Sequence, residues 1–315
     1  MSAGLAQLWI GVVCVGLGLA GCAATPRTGV AVAPSDTLSV APFGPVFEEA
    51  RAVAADGSGR LYVADAGAAT VTVLSAEGLP LIVLGGPGTG DYAFLDPSGI
   101  DPTNGLVLVV ADTGNGRLQR FSYDGRLIET LPVPSNLGDG DSGRREFRDT
   151  PTSDRRAGQG RPTAVAAAVT GETYAVEEVQ GLVLRWDERR RFDRVIGGLE
   201  EDEGALSQPV GVAVGPDGRL FVADRGHAAV LVYDPFGLYL RRIADGTARG
   251  IRAVAVVGDR LVLTLPHEVR LYSLDGRLVD AFAVPTPEPL VGVAGNEGRL
   301  VLLTPTRLFA ATPPR

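Results

Sequence analysis

Gln208-Pro209-Val210-Gly211-Val212-Ala213-Val214-Gly215-Pro216-Asp217-Gly218-Arg219-Leu220-Phe221-Val222-Ala223-Asp224 is the stretch that decides the fold. Valine and aromatic side chains suit a pleated, half-buried surface, while Gly215-Pro216-Asp217-Gly218 is turn chemistry. The pattern then runs through Arg225-Gly226-His227, Val230-Leu231-Val232-Tyr233, the turn Asp234-Pro235-Phe236-Gly237 and Leu238-Tyr239-Leu240-Arg241-Arg242-Ile243. Four short β-rich runs between turns, within 208–245, predict a four-stranded antiparallel meander.

The unit is repeated. It recurs at 48–84 with Arg60-Leu61-Tyr62-Val63-Ala64-Asp65, and at 96–131 with Val109-Val110-Ala111-Asp112-Thr113-Gly114-Asn115-Gly116-Arg117. More degenerate copies lie at 161–196 (Thr173-Tyr174-Ala175-Val176-Glu177), 250–284 (Arg260-Leu261-Val262-Leu263-Thr264) and 289–310 (Arg299-Leu300-Val301-Leu302-Leu303-Thr304). Anchors at 65, 112, 224, 264 and 304 are 47, 112, 40 and 40 residues apart, and the long step holds one more unit plus an insert. Four strands per repeat of 40–50 residues is the signature of propeller blades. The last copy has only three strands, and the unclaimed run Asp36–Ala41 is expected at its outer edge. The expected fold is therefore an all-β, six-bladed propeller of four-stranded antiparallel blades, closed by an N-terminal strand.

These residues resemble NHL-repeat propellers over about residues 48–310. That family shares the Pro-x-Gly-Val-Ala-Val start, the Asp-Gly turn before the second strand, and the Asp-x-Gly-Asn-x-Arg run after it. Asp112 to Arg117 is the best copy, and the units at 250–284 and 289–310 lose that run. The resemblance implies a fold more than an activity, because one fold hosts many functions.

Ahead of the repeats, an apolar stretch from Leu5 to Ala20 ends in Leu19-Ala20-Gly21-Cys22. This resembles the lipobox of bacterial lipoproteins, in which the cysteine is acylated and the peptide cut before it. Met1 to Leu8 carry no positive charge, so an uncleaved anchor is the alternative. The resemblance implies a signal peptide at 1–21, a tether at 22–35, and a propeller at 36–315 held at a membrane by lipid on Cys22. Ala23, where an aspartate would retain the protein at the inner membrane, resembles proteobacterial lipoproteins sent to the outer membrane, facing the periplasm.

Composition narrows function. The chain has 315 residues, a net charge of −8 and no lysine, so all 29 basic residues are arginine. That mild acidity argues against nucleic acid as a partner. Cys14 lies in the leader and Cys22 would be lipidated, so no disulfide is expected.

Candidate chemistry is sparse. The expected inner strands (Ala52–Ala55, Ala164–Ala168, Val210–Ala213, Ala253–Val256) are small and apolar, which suits close packing at a hub. His227 and His267 are the only histidines, fewer than the histidine cluster of NHL-like amidating lyases and fewer than a zinc site usually wants. No metal, cofactor or catalytic residue is assigned. Asp65, Asp112 and Asp224 are expected to accept N–H groups of the following turn. Asp139-Gly140-Asp141-Ser142-Gly143 lacks the full ligand set of a calcium loop. Arg185 to Arg194 around Trp186 reads as charged residues on a blade edge.

A polar, zwitterionic insert at 132–160 opens on the same face as the loops after the second strands, which carry Arg117, Arg225, His227 and His267. Those four are the candidate ligand-face residues. The expected role is an interaction module for a protein, peptide or glycan, non-enzymatic, with a metal-dependent lyase or lactonase-like propeller as the alternative.

Overall fold

The computed structural model describes residues 32–102, 105–134, 160–296 and 298–312. Its strands form the six sheets of a β-propeller. Blade 1 comprises Ala50–Ala55, Leu61–Asp65, Thr70–Leu74 and Pro80–Gly85; blade 2 comprises Pro97–Asp101, Val107–Asp112, Arg117–Ser122 and Leu127–Pro132. Blade 3 runs Pro162–Ala167, Thr173–Glu177, Leu182–Trp186 and Phe192–Ile196, and blade 4 runs Pro209–Val214, Leu220–Asp224, Ala229–Tyr233 and Tyr239–Ile243. Blade 5 is Ala253–Val257, Arg260–Leu265, Glu268–Ser273 and Leu278–Ala283. Blade 6 has three strands from the C-terminal end, Gly292–Asn296, Arg299–Leu303 and Leu308–Ala311.

The N-terminal segment joins two blades, completing blade 6 and adding a short fifth strand to blade 5. Val40–Phe43 pairs antiparallel with Leu308–Ala311 and supplies the fourth strand of blade 6. Asp36 and Thr37, expected in that same strand, instead lie parallel to the outer strand of blade 5, opposite Phe282 and Ala283. The reason is Leu38, which is buried in the apolar seam between blades 5 and 6 with Val269, Phe282, Leu302 and Phe309. One apolar side chain between two polar edges splits the run into two short pairings.

Each blade is a twisted sheet with both faces covered, so its second strand is buried over all or nearly all of its length, throughout in Leu61–Asp65 and Leu220–Asp224. The core is correspondingly divided into six apolar clusters, one per seam between neighbouring blades, including the seam from blade 6 back to blade 1. Burying each Val, Leu or Phe of these seams stabilises by about 1.5–3 kcal/mol. Inner strands crowd at the hub: a Cβ on Gly99 would stand 2.8 Å from Ala164 Cα in the next blade. At the end of blade 1, Gly85 takes φ +94°, and a Cβ there would strike the Phe94 ring at 2.3 Å.

Closure is reinforced locally. The Arg299 guanidinium lies 4.8 Å from the centre of the Phe43 ring and donates to the Ala76 carbonyl at 2.7 Å. Phe43 of the closing strand is thereby clamped against blade 1 as well as blade 6.

Candidate functional site

The six inner strands surround a channel of about 160 Å³. Its wall carries Val53, Val165, Val212, Val254 and Val293, as the small apolar runs of the sequence led one to expect. One acid interrupts it. Asp101 closes the inner strand of blade 2 and stands half-buried on the channel wall, where Oδ2 accepts the Ala167 N–H at 3.0 Å. The sequence reading passed over Asp101 because Pro97–Asp101 is the least apolar of the inner strands.

At one mouth of this channel, the loops between blades meet the loops that follow each second strand. Buried carboxylates tie the two sets together. Asp65 accepts Glu48 N–H at 2.9 Å and Glu49 N–H at 2.8 Å from the loop before blade 1, and Gly67 N–H at 3.1 Å from its own turn. Asp224 takes Ser207 N–H at 2.7 Å and His227 N–H at 2.9 Å in the same manner. In blade 3 Glu177 replaces the aspartate, receiving Arg161 N–H at 2.8 Å and Gln180 N–H at 2.7 Å. The expected acceptance of turn N–H groups is therefore present, and a second grip on the preceding loop comes with it. Charged acceptors make such bonds roughly twice as strong as neutral ones.

Blade 2 shows why the Asp-x-Gly-Asn-x-Arg run exists. Asp112 is fully buried and accepts Leu95 N–H at 2.8 Å, Asn115 Nδ2 at 2.8 Å and Arg117 Nε at 2.7 Å. Arg117 then donates to the carbonyls of Gly90 and Ala93 at 2.8 and 2.9 Å, and Asn115 to that of Gly88 at 3.0 Å. The motif is a clamp on the loop between blades 1 and 2. Arg117, a candidate ligand-face residue, is thus committed to the framework, with 14% of its side chain exposed.

The other candidates gather around blades 4 and 5. His227 occupies the position of Asn115 in blade 4; it is half-buried, with Nδ1 3.3 Å from Asp224 Oδ1 and no hydrogen bond to that nitrogen among the described residues. Arg225 is half-buried beside it and donates to the Ile251 carbonyl at 3.5 Å. Burial, and after it the positive charge of Arg252, holds the Arg225 guanidinium below its usual pKa. His267 is exposed in the turn after the second strand of blade 5. Three of the four candidates therefore share one sector of the mouth, and Arg252 is the member that sequence reasoning missed. Its position immediately before the inner strand Ala253–Val257 was the available signal.

The Arg185 cluster belongs elsewhere. Arg185 is 11% exposed and ion-paired with Asp193 and with Glu172 (3.5 Å to the latter), and Trp186 is buried against Phe192. It is a packing device on the blade edge, more enclosed than an exposed charge run. Cys22, the calcium-like run at 139–143 and most of the insert at 132–160 lie outside the described residues. Among the described residues no group of three or more His, Cys, Asp or Glu side chains is placed to hold a metal ion.

Residues 206–233, which include the first three strands of blade 4 and the Asp224 grip, match the family model described as NHL repeat. No curated protein sequence matches the chain. Among solved structures, virginiamycin B lyase from Staphylococcus aureus superposes with a TM-score of 0.60 at 12% identity, covering 88% of this chain and 99% of its own. A gluconolactonase from Xanthomonas campestris gives 0.61 at 16% identity, covering 87% and 89%. A chain of the nidogen/laminin complex gives 0.57 at 17% identity, covering 78% and 84%. At such identities this propeller shares its fold with two enzymes and a chain of the nidogen/laminin complex, and nothing finer follows.

Proposed function

We propose that this NHL-repeat propeller is a lipid-anchored module of a bacterial envelope that presents the loop face around Arg225, His227 and His267 to a protein, peptide or glycan. The observation that carries the reading is the set of buried carboxylates at Asp65, Asp112, Glu177 and Asp224, each tying two loops together on that face. Loops fixed in advance lose less entropy on binding, so a pre-organised face suits recognition. The lipid anchor rests on Leu19-Ala20-Gly21-Cys22. Two acyl chains, at about 0.8 kcal/mol per buried methylene, would hold the domain durably at a bilayer. The chain enters the propeller at the rim of blade 5, where Arg270 donates to the Val32 carbonyl at 3.4 Å and to Thr247 at 2.9 Å. Val32, where the described chain begins, therefore lies beside the same interblade loop that carries Arg252, and a lipid on Cys22 would tether the domain from there.

Acyl labelling in cells is expected to mark the wild type and not Cys22→Ala, and crosslinkers placed in the 225–228 and 266–267 loops are expected to capture one discrete neighbour. Equal labelling of both proteins would reject the anchor, and capture spread evenly over both faces would reject the ligand face.

One observation favours an enzyme, a metal-dependent lyase or lactonase-like hydrolase, as the second reading. Asp101 puts a carboxylate on the channel wall of a fold shared with a lyase and a gluconolactonase. Elemental analysis of the purified protein separates the two: stoichiometric calcium or zinc, lost in Asp101→Ala, would favour the enzyme.

A further inference from the structure

Arginines at the channel mouth fall into two groups. At blade 1, Arg51 pairs with Glu49 at 2.8 Å and Asp96 at 3.7 Å, and at blade 3, Arg161 pairs with Glu178 at 3.2 Å. Arg225 and Arg252, between blades 4 and 5, make no ion pair among the described residues. Arg225 reaches the carbonyl of Ile251, the residue next to Arg252, and the positive charge of the exposed Arg252 bears on the Arg225 guanidinium.

Nearby acids are already engaged. Asp224 is buried under Ser207, Gln208 and His227 N–H groups, Asp245 lies 3.8 Å from Arg242, and Glu268 pairs with Arg270. Blade 5 also lacks the carboxylate of blades 1–4: Thr264 stands at that position, fully buried, with no hydrogen-bond partner for its hydroxyl among the described residues. The substitution removes a negative charge from beside Arg252, whose own N–H bonds the Thr264 carbonyl at 2.8 Å. Like charges so close repel in the free protein, and the planar guanidinium fork matches the paired oxygens of a carboxylate or phosphate.

We propose that Arg225 and Arg252 form a receptor for an oxyanion, a carboxylate or a phosphate, carried by the ligand of this face. This rests on the loop face being the ligand face. The oxyanion replaces the missing carboxylate partner, bridging two guanidinium groups that the fold brings together but leaves without a counter-charge.

The test is a thermal-shift titration of the full chain in neutral detergent at constant ionic strength, with succinate in one arm and pyrophosphate in the other. A saturable rise in Tm is expected in at least one arm, and the arm that responds identifies the oxyanion. R225Q/R252Q should weaken the apparent Kd about tenfold or more, a loss typical of a charge-assisted pair. R225K/R252K keeps both charges without the fork and should fall between them; it also serves if the glutamine variant folds poorly. Arg249→Gln, on an exposed arginine of the same loop, should leave the Kd unchanged. No saturable shift in either arm, or the same Kd in R225Q/R252Q as in wild type, would overturn the receptor. Crosslinking in cells reports separately: its failure removes the ligand face and leaves the titration standing, whereas failed titration removes the receptor alone.

Discussion

Blades 1–4 and blades 5–6 solve the same problem differently. In the first four, a buried Asp or Glu ends the second strand and draws in N–H groups from the preceding loop. Each of those inner strands begins with a bulge, with Arg51, Ser98, Thr163 or Val210 as the extra residue. In blades 5 and 6 the anchor is Thr264 or Thr304, and the ladder runs without a bulge from Ala253 and Gly292. There the incoming N–H groups of Arg252 and Val291 bond backbone carbonyls of Thr264 and Leu303, both at 2.8 Å. The same two blades receive the N-terminal segment: Asp36–Thr37 on one, Val40–Phe43 on the other, Leu38 in the seam. The two blades without carboxylate staples are the two that this strap crosses at the rim. One side chain at one repeated position thus decides both the backbone register at the mouth and the charge left there.

The largest way to break this comparison is to remove the strap. Deleting residues 36–43 is expected to abolish a single cooperative melting transition, because blade 6 loses its outer strand and the blade 5–6 seam loses Leu38. A melt unchanged in cooperativity and midpoint would show that closure does not depend on the strap. Asp112→Ala comes next. It leaves Arg117 and Gln119 without their shared carboxylate, and loss of one partner of a buried pair costs about 3–5 kcal/mol in denaturant unfolding. A loss below about 1 kcal/mol, the worth of an exposed pair, would mean the clamp is solvated and contributes little.

Acid tests the opposite face. Asp56 sits in the turn at the far end of blade 1, and although burial pushes its carboxyl up, bonds from Ser58, Tyr62 and Arg60 outweigh that and hold it below the usual range. A depressed folded value stabilises above the unfolded pKa of about 3.8 and is lost as pH falls through the folded one. The gap in stability between wild type and Asp56→Asn should therefore be widest near neutrality and shrink with acid; a constant gap would contradict the assignment. The smallest effect is the sharpest. Thr304 Oγ1 accepts Arg307 N–H at 3.2 Å, whereas Thr264 Oγ1 has no such partner. Thr304→Val should cost about 1 kcal/mol, and Thr264→Val should be neutral or stabilising by a similar amount. Equal costs would erase the distinction.

Much of this was legible in the chain. Asp65, Asp112 and Asp224, with Thr264 and Thr304, mark the same structural position in five blades, because a strand that ends at a turn needs a local acceptor whatever its neighbours do. The closing strand was legible as a β-rich run, but its split at Leu38 was not, since a seam between two blades exists only once the ring has closed. The role of Glu177 was hidden by its extra methylene, and the second grip of every carboxylate by the sequence distance to the loop it holds. Arg252 was overlooked because ring order, not spacing along the chain, determines which inner-strand ends face one another.

The central claim is that one face of this propeller is built for recognition. A photocrosslinking residue placed at His267 on that face, and separately at Phe236 on the opposite face, would be tested in intact cells. The account predicts a single discrete adduct from position 267 and none from 236. Adducts from both positions alike, or from 236 alone, would contradict it.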